Sequence, residues 1–528
     1  MRSTAGWCTP DVSGGADRVD VLIVGAGPTG LALALWLARL GVGVRIIDEN
    51  DGPGSASRAF AVQARTLEFY DQIGLADAAI GRGRKVAAIN VHRPGRETVR
   101  IAIGDFGKGL SPFPFVLILL QDQHEKLLIG ALAEAGIEVE RNTALVDFAA
   151  APDGGAEARL RGPLGATTTC RAHYLCGCDG VRSTVREAAG IPFDGGEDAA
   201  TFYVADVRAR GPLIDGELHY VMADDQLLSV FPLPGADRAR LIGLVPPSIQ
   251  RAAYQVTFAD IAQSVADVSG LRPDLIEWFS TYGVHHRIAR RFKRADTFLL
   301  GDAAHTHSPS GGQGLNTGIG DAVNLAWKLA QTTQGDAAAA LLNSYDVERR
   351  GVARRIMRTT DRGLLLQVGR GAPALLRDLL VDGAGGLMAV PALRRTAFRT
   401  ISQIGLGYRS GPAGATSAAA GDRLPWFETT DGTSNFDALK SLAWQAHVYG
   451  RPFDGVTRLC AAHGLPLHAF AWVEAAHHAG LKRDALYLVR PDGYLAFVSE
   501  RQDEQDLERA IIANLGPRPA AAPVPPAG

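Results

Sequence analysis

The stretch at 19–50, VDVLIVGAGPTGLALALWLARLGVGVRIIDEN, constrains the fold more than any other part of the chain. Its apolar run at 21–24 shows no alternation, as in a strand buried on both faces of a parallel sheet. Gly25, Gly27 and Gly30 follow at G-x-G-x-x-G spacing. The pattern predicts a helix over 29–40, closed by Gly41, and a second strand over 44–47 that ends at Asp48. In such a unit the first glycine makes the tight turn, the second admits a pyrophosphate to the backbone, and the third lets helix and strand pack closely. The helix N-terminus offers N–H groups and partial positive charge to phosphates. Asp48 stands where a carboxylate accepts hydrogen bonds from a ribose. Nucleotide binding follows from this stretch, with NAD and FAD both open. Its Gly-Pro pair, Arg39 and Arg45 argue against a membrane span.

The chain has 528 residues, enough for about two or three domains. Its 46% hydrophobic and 21% charged residues are ordinary for a soluble globular protein. A net charge of −2 leaves no basic footprint for nucleic acid. Residues 1–18 lack a charged start followed by an apolar core, so they read as a disordered leader and not a secretory signal. Cys8, Cys170, Cys176, Cys178 and Cys460 form no C-x-x-C and no zinc spacing, which fits a reducing cytoplasm.

After Asp48, residues 49–57 form a Gly/Ser/Pro loop that ends at Arg58, and 64–74 have helical spacing. Residues 86–103 predict a hairpin. A strand at 117–120 leads to Gln121 and a helix over 122–135. Short strands at 137–139 and 145–148 precede a hairpin at 158–174. The next strand delivers Asp179-Gly180, with Ser183 placed to cap a helix. Residues 205–284 read as a separate mixed sheet, the roof over a substrate pocket.

The second strong block is ADTFLLGDAAHTHSPSGGQGLNTGIGDAVNLAWKLA, at 295–330. A buried strand at 297–300 sets Asp302 at its carboxyl end, where ligands bind in open α/β sheets; the bland reading of Asp302 is a helix cap. The loop at 308–314 lets backbone approach a flat ligand. The helix beginning near Leu315 and Asn316 turns its positive end toward that loop, suited to negative charge on a reduced flavin. His305 and His307 lack a metal-ligand pattern, so no metal is assigned. Residues 345–350 and 372–401 read as helical. After a small-residue stretch at 411–422, an independent α/β domain follows, with strands near 456–460, 469–473, 485–489 and 494–498, then a Pro/Ala tail.

Three blocks thus stand in one order: Gly25 to Gly30 with Asp48, Cys178-Asp179-Gly180, and GDAAHTHSPSGGQGLN at 301–316. With Arg58, the RTLE at 65–68 and Gln121, they resemble the single-component FAD monooxygenases of the para-hydroxybenzoate hydroxylase fold, in the branch of phenol and polyketide hydroxylases. The resemblance covers residues 19–360. It implies an α/β architecture: a Rossmann-type FAD-binding domain (19–200 and, with a helical region, 285–410) and an inserted mixed β-sheet substrate domain (201–284). A linker (411–423), a C-terminal thioredoxin-like domain (424–516) and a disordered tail (517–528) complete it. That last domain lacks C-x-x-C, which argues against a redox role.

The resemblance further implies that FAD lies with its pyrophosphate at Gly25, Ala26, Gly27, Pro28, Thr29 and Gly30 and its ribose at Asp48 beside Glu49. Arg58 and Gln121 approach the cofactor, and Asp302 binds the ribityl and pyrophosphate region. Backbone at Gly314, Leu315 and Asn316 meets the flavin ring, and Val146 and Pro309 count among the contact positions. NAD(P)H, for which the chain has no second fingerprint, is implied as a transient co-substrate. Dioxygen is implied to form a flavin C4a-hydroperoxide that hydroxylates a phenolic or polycyclic aromatic ring. The partners implied are a small aromatic substrate and O2, with a homodimer left open.

There is a departure from the branch. Phenol hydroxylase places an acidic residue just before its RTLE helix to help deprotonate the phenol; here Phe60, Ala61 and Val62 stand there. Catalytic residues are therefore unassigned. Tyr203, His219, Tyr220, His285, His286 and Arg287 are candidates by region only. Baeyer–Villiger oxygenation of a polyketide is the alternative chemistry, and a non-catalytic flavin-binding interaction protein is the alternative class.

Overall fold

The computed structural model describes residues 18–54, 60–93, 95–102, 106–223, 226–246, 248–249, 255–307, 312–335, 339–368, 390–409 and 417–516. Arg58, Pro309, the tail, the leader up to residue 17, and parts of the expected linker and of the helical region at 372–401 lie outside them. The chain divides into two compact units, 1–326 with 345–406 and 327–344 with 407–528.

In the first unit, β1 (Arg18–Val24) is followed by α1 (Pro28–Arg39) and β2 (Val44–Ile47). Then come β3 (Ala61–Val62), α2 (Ala64–Gln72), β4 (Val116–Ile118) and α3 (Gln121–Glu134). Next are β5 (Ala144–Ala150), β6 (Thr167–Gly177) and α4 (Thr184–Ala188). Leu31, Leu33, Leu35 and Leu37 of α1 are all buried; each contributes about 1.5–3 kcal/mol of burial free energy. The alanines between them let this apolar helix lie close on the sheet.

A second set of strands follows: β7 (Phe193–Arg208), β8 (Leu218–Ala223), β9 (Gln226–Pro232) and β10 (Arg238–Leu244). After α5 (Phe258–Ser269) and β11 (Leu275–Ala289), the chain returns through β12 (Thr297–Leu299) to α6 (Gly314–Thr333) and α7 (Asn343–Val368).

The parallel sheet runs in the order 139–140, β2, β1, β6, β12. The chain leaves β1 toward β2 on one side and later fills β6 and β12 on the other. The order therefore reverses at β1, and a doubly wound sheet has its ligand crevice at that reversal. All three sequence blocks leave the carboxyl ends of these neighbours: Gly25 after β1, Cys178 after β6, Gly301 after β12.

The mixed sheet runs 305–306, β11, β7, β10, β9, β8, 88–92, 99–102. It is larger than the expected 201–284. The hairpin at 88–102, placed by sequence in the nucleotide-binding part, joins it because 88–92 pairs parallel with β8. That pairing spans more than a hundred residues and leaves no local signal. One face is covered by α5, with Tyr203, Val207, Leu228, Val230, Leu241, Ile261 and Val265 in one core.

In the second unit, β13 (Gln445–Tyr449), α8 (Asp454–Ala462), β14 (Leu467–Phe470) and α9 (Glu474–His478) precede β15 (Leu486–Val489), β16 (Leu495–Ser499) and α10 (Glu504–Leu515). The sheet order is β14-β13-β15-β16, with β13 and β14 parallel and the other two pairs antiparallel. Two expectations are corrected. Residues 456–460, read as a strand, are helical: Val456 and Cys460, four residues apart, share the buried face of α8. The strand at 445–449 went unrecognised because Gln445, His447 and Tyr449 are polar, yet all are buried and satisfy one another. His447 Nδ1 meets the Tyr449 hydroxyl at 3.0 Å and Nε2 meets Gln445 Oε1 at 2.9 Å. Among the described residues no helix is long and apolar enough to cross a membrane.

Candidate active site

The turn after β1 shows what each glycine does. Gly25 has φ +100°, and a Cβ there would lie 2.4 Å from the Cys178 carbonyl oxygen, so only glycine fits between the two strand ends. A Cβ on Gly30 would meet the Gly25 oxygen at 2.0 Å; this is the close helix–strand approach. A Cβ on Gly27 would meet nothing within 4 Å. The space before Gly27 is open, at the N-terminal cap of a helix whose first side chains are Pro28 and Thr29.

Asp48, buried at the end of β2, accepts a 2.6 Å hydrogen bond from Ala26 N–H on Oδ2 and holds Asn50 through Oδ1. The carboxylate thus braces the loop. Arg141 stands 3.6 Å from Asp48 and donates to the Gly52 carbonyl. Its Nη2 is buried with no acceptor among the described residues. Sequence reading missed Arg141; a lone arginine after a short strand carries no pattern. Glu49 is exposed, and Val146 lies on β5 with its side chain 37% exposed. Gln121 opens α3 and donates to Glu125, which accepts from Gly54 N–H, so this helix end anchors the loop after β2.

At the end of β12, Asp302 has no hydrogen bond to the described residues, which removes its reading as a helix cap. Its side chain is exposed, yet the surrounding protein desolvates the carboxyl and raises it above the ordinary carboxylate range, with His305 opposing. The carboxyl is therefore open to a ligand while set among protein groups. The bracing falls to Asp321 on α6, fully buried. It accepts from Gly301 N–H at 3.0 Å, His305 Nε2 at 2.7 Å and Arg349 Nε at 2.6 Å. Burial opposes its charge, but Arg349 and His305 outweigh that and hold its carboxyl below the ordinary range. An acid on the apolar face of α6 was the available signal. Asp179 accepts from Ser183 Oγ and Val185 N–H, and Arg186 donates to the Val181 and Ala303 carbonyls, tying the second block to the third.

Gly314 and Leu315 begin α6, whose first N–H groups have no intrahelical acceptor. The Asn316 side chain is committed to protein. Its Oδ1 accepts from Gln63 N–H and Thr66 Oγ1, both 2.8 Å; its Nδ2 donates to Ala61 O at 2.9 Å and Gly312 O at 2.8 Å. Backbone is what this turn can offer a ligand. The RTLE is likewise structural: Arg65 pairs with Glu68, which also accepts from Ser111, all buried.

The sheet face opposite α5 carries a row of rings. Strand alternation and register put Tyr220, Phe231, Arg240, Ile242, Trp278 and Tyr282 on it, most of them half-buried. Phe60 reaches it from beside β3, 4.6 Å from Phe231 between ring centres. Its neighbour Ala61 is the residue Asn316 holds, so the ring wall and the glycine-rich turn are joined at 60–61. Burial pushes the Tyr220 phenol up to about 12. Tyr203 and His219 point to the other face: Tyr203 is in the core under α5, and His219 bonds Asp215 and His92. His285, His286 and Arg287 lie on β11 opposite residues 195–197.

The "FAD binding domain" family model matches residues 18–360. The chain belongs to this family of FAD-dependent aromatic monooxygenases. It is 38% identical over 417 residues to 6-methylpretetramide 4-monooxygenase of Streptomyces rimosus, covering 77% of this chain and 73% of the relative. To 12-dehydrotetracycline 5-monooxygenase/anhydrotetracycline 6-monooxygenase of the same species it is 32% identical, over 95% of this chain and 99% of the relative. The structure of anhydrotetracycline hydroxylase from Streptomyces rimosus superposes with TM-score 0.77 at 30% identity, over 95% of this chain and all of that one. FAD is the cofactor of this monooxygenase. The chain suits it: an open space before Gly27, a hydrogen-bonded carboxylate (Asp48) at the end of β2 and an accessible one (Asp302) at the end of β12, a guanidinium N–H beside Asp48 with no acceptor among the described residues, and a helix N-terminus beyond Gly312.

Proposed function

We propose that this monooxygenase hydroxylates a flat phenolic or polycyclic aromatic substrate bound against the ring wall of the mixed sheet, consuming NAD(P)H and O2. The observation that carries the reading is the half-buried row Tyr220, Phe231, Trp278 and Tyr282, which meets the glycine-rich turn through Phe60. Aromatic walls hold flat rings by offset and edge contacts. FAD, when bound, would supply the activation of O2, one atom of which goes to the ring while the other leaves as water with electrons from NAD(P)H.

The chain's own groups do the rest. Gly25, Ala26, Gly27, Pro28, Thr29 and Gly30 hold the pyrophosphate, Asp48 with Arg141 the ribose, and Asp302 the ribityl chain. Backbone at Gly314 to Asn316 stabilises negative charge on the ring. Phe60, Phe231 and Trp278 exclude water from the substrate face. Arg58, Glu49, Gln121, Val146 and Pro309 remain contact positions proposed from the resemblance. The polyketide substrates named for the two relatives support the polycyclic end of the range. The strand order and directions of the second unit support a thioredoxin-like domain; with Cys460 alone in it, its role is architectural. We propose a cytoplasmic enzyme and, as its assembly, a homodimer.

The test is stopped-flow reduction by NADPH without oxygen, with and without each member of a panel of phenols and anthraquinones, followed by product mass. At least one compound should speed reduction tenfold or more, about 1.4 kcal/mol of barrier, and gain one oxygen. Equal rates and no oxygenated product across the panel would overturn the reading.

A further inference from the structure

On the ring wall sits a buried charge that the chemistry above does not use. Arg240, 2% exposed, pairs with Asp206 on the neighbouring strand: Nε to Oδ1 at 2.6 Å and Nη2 to Oδ2 at 2.8 Å. These two donors take up one edge of the guanidinium. Nη1, on the far edge, is buried and has no acceptor among the described residues. Its surroundings are rings: the guanidinium carbon is 5.2 Å from the centre of Phe60 and 5.5 Å from that of Trp278. Phe231, in contact with Phe60, is the register partner of Arg240 on β9.

Stability alone does not explain this placement. A buried ion pair is often matched or bettered by apolar residues of similar volume, and an unpaired buried N–H adds a further cost. Ring stacking satisfies the faces of a guanidinium but not its edge donors. The pair is also oriented: Asp206 engages Nε and Nη2 and so fixes the fork with Nη1 on the edge away from the carboxylate. A fixed planar donor set among aromatic rings is suited to an oxygen in the plane of a flat ring.

We propose that Arg240 is a specificity-determining residue. Its Nη1 donates to an ionised ring hydroxyl, a phenolate or enolate, on a polycyclic substrate whose ring displaces Phe60 from the guanidinium. The inference rests on the placement of substrate against this wall. It also answers the missing carboxylate before the RTLE helix: the proton leaves to solvent, and Arg240 favours the ring anion that remains. An anionic ring is the more electron-rich acceptor of oxygen. No covalent step involves the arginine.

The experiment uses the FAD-loaded enzyme and two probes, alizarin and its 2-O-methyl ether, which lacks the readily ionised hydroxyl, titrated by absorbance. Alizarin changes colour on ionisation, so its protonation state is read in the complex. The parent should prefer alizarin by roughly tenfold or more, as expected for a charge-assisted hydrogen bond, and show the bound anion at a pH where free alizarin is neutral. Arg240→Lys keeps the charge beside Asp206 but loses the planar fork; its preference should fall about tenfold and the anion colour should weaken. Equal affinity of the parent for both probes, or an unchanged preference and colour in a folded, FAD-loaded Arg240→Lys, would overturn the proposal. The parent's two titrations decide the matter even if the variant does not fold. Phe231→Ala separates the two readings. If it weakens both probes while the parent ignores the hydroxyl, the wall stands and the role of Arg240 falls. If it leaves both probes unchanged, the wall itself is not the site.

Discussion

Replacing Gly27 by valine should separate cofactor binding from folding. The residue is extended, with φ −75° and ψ 179°, a conformation valine adopts readily, and an added Cβ would meet nothing within 4 Å. The protein without FAD should therefore lose at most about 1 kcal/mol, the modest penalty of a β-branched residue at a helix cap. On the proposed placement, the pyrophosphate enters that same space to reach the backbone N–H groups. Losing two such charge-assisted bonds at about 1.5 kcal/mol each weakens FAD by about 3 kcal/mol, or roughly 150-fold in Kd. Gly25→Ala should behave in the opposite way. It meets the Cys178 carbonyl at 2.4 Å and holds a non-glycine residue at φ +100°, so the fold itself should lose about 3 kcal/mol or more. The assays are thermal unfolding of the stripped protein and FAD titration by flavin fluorescence. A Gly27→Val protein that binds FAD like its parent, or a Gly25→Ala protein of parental stability, would refute the reasoning.

Three further outcomes are expected. Asp302→Ala should weaken FAD by about 1–3 kcal/mol without loss of fold, since the carboxylate bonds none of the described residues; an unchanged dissociation constant would remove it from the site. Asn316→Leu strips four hydrogen bonds, three of them buried, and should cost about 4 kcal/mol, at about 1 kcal/mol each, read as an earlier urea midpoint with flavin release; a shift under about 1 kcal/mol would show that the clamp is idle. His124, buried against the Tyr70 hydroxyl, is pushed down by burial to about 4 from 6.5. Unfolded, it takes a proton below 6.5 that the folded protein refuses until about 4, so stability present above 6.5 is lost as pH falls. The loss by pH 4 is about 3 kcal/mol, and His124→Gln, compared by urea unfolding from pH 7 to 4.5, should lack it.

Much of the FAD half was legible because its information is local. Gly25, Gly27 and Gly30 act within one turn, and their spacing alone states the turn, the open approach and the close packing. Asp48 and Asp302 follow short apolar strands, and a strand end is visible wherever the apolar run stops. Where polar residues were buried, the same logic failed. Gln445, His447 and Tyr449 form a strand whose side chains satisfy one another, so no apolar signal marked it. Asp321 and Arg141 brace the two cofactor loops, but each gains its meaning from partners far along the chain.

The ring wall shows the division most clearly. Tyr203, His219 and Tyr220 were indistinguishable as letters within a poorly patterned segment. Sheet register decided between them: a strand turns successive side chains to opposite faces, and only one face is covered by α5. The same register set Arg240 beside Asp206 on the neighbouring strand, and the chain just before β3 brings Phe60 to them. The sequence by itself determined a nucleotide fingerprint and, through the resemblance of its three blocks, FAD, because those signals are contiguous runs of the chain. The substrate side was decided by the tertiary structure, because a pocket wall is assembled from single residues brought together by long-range strand pairing.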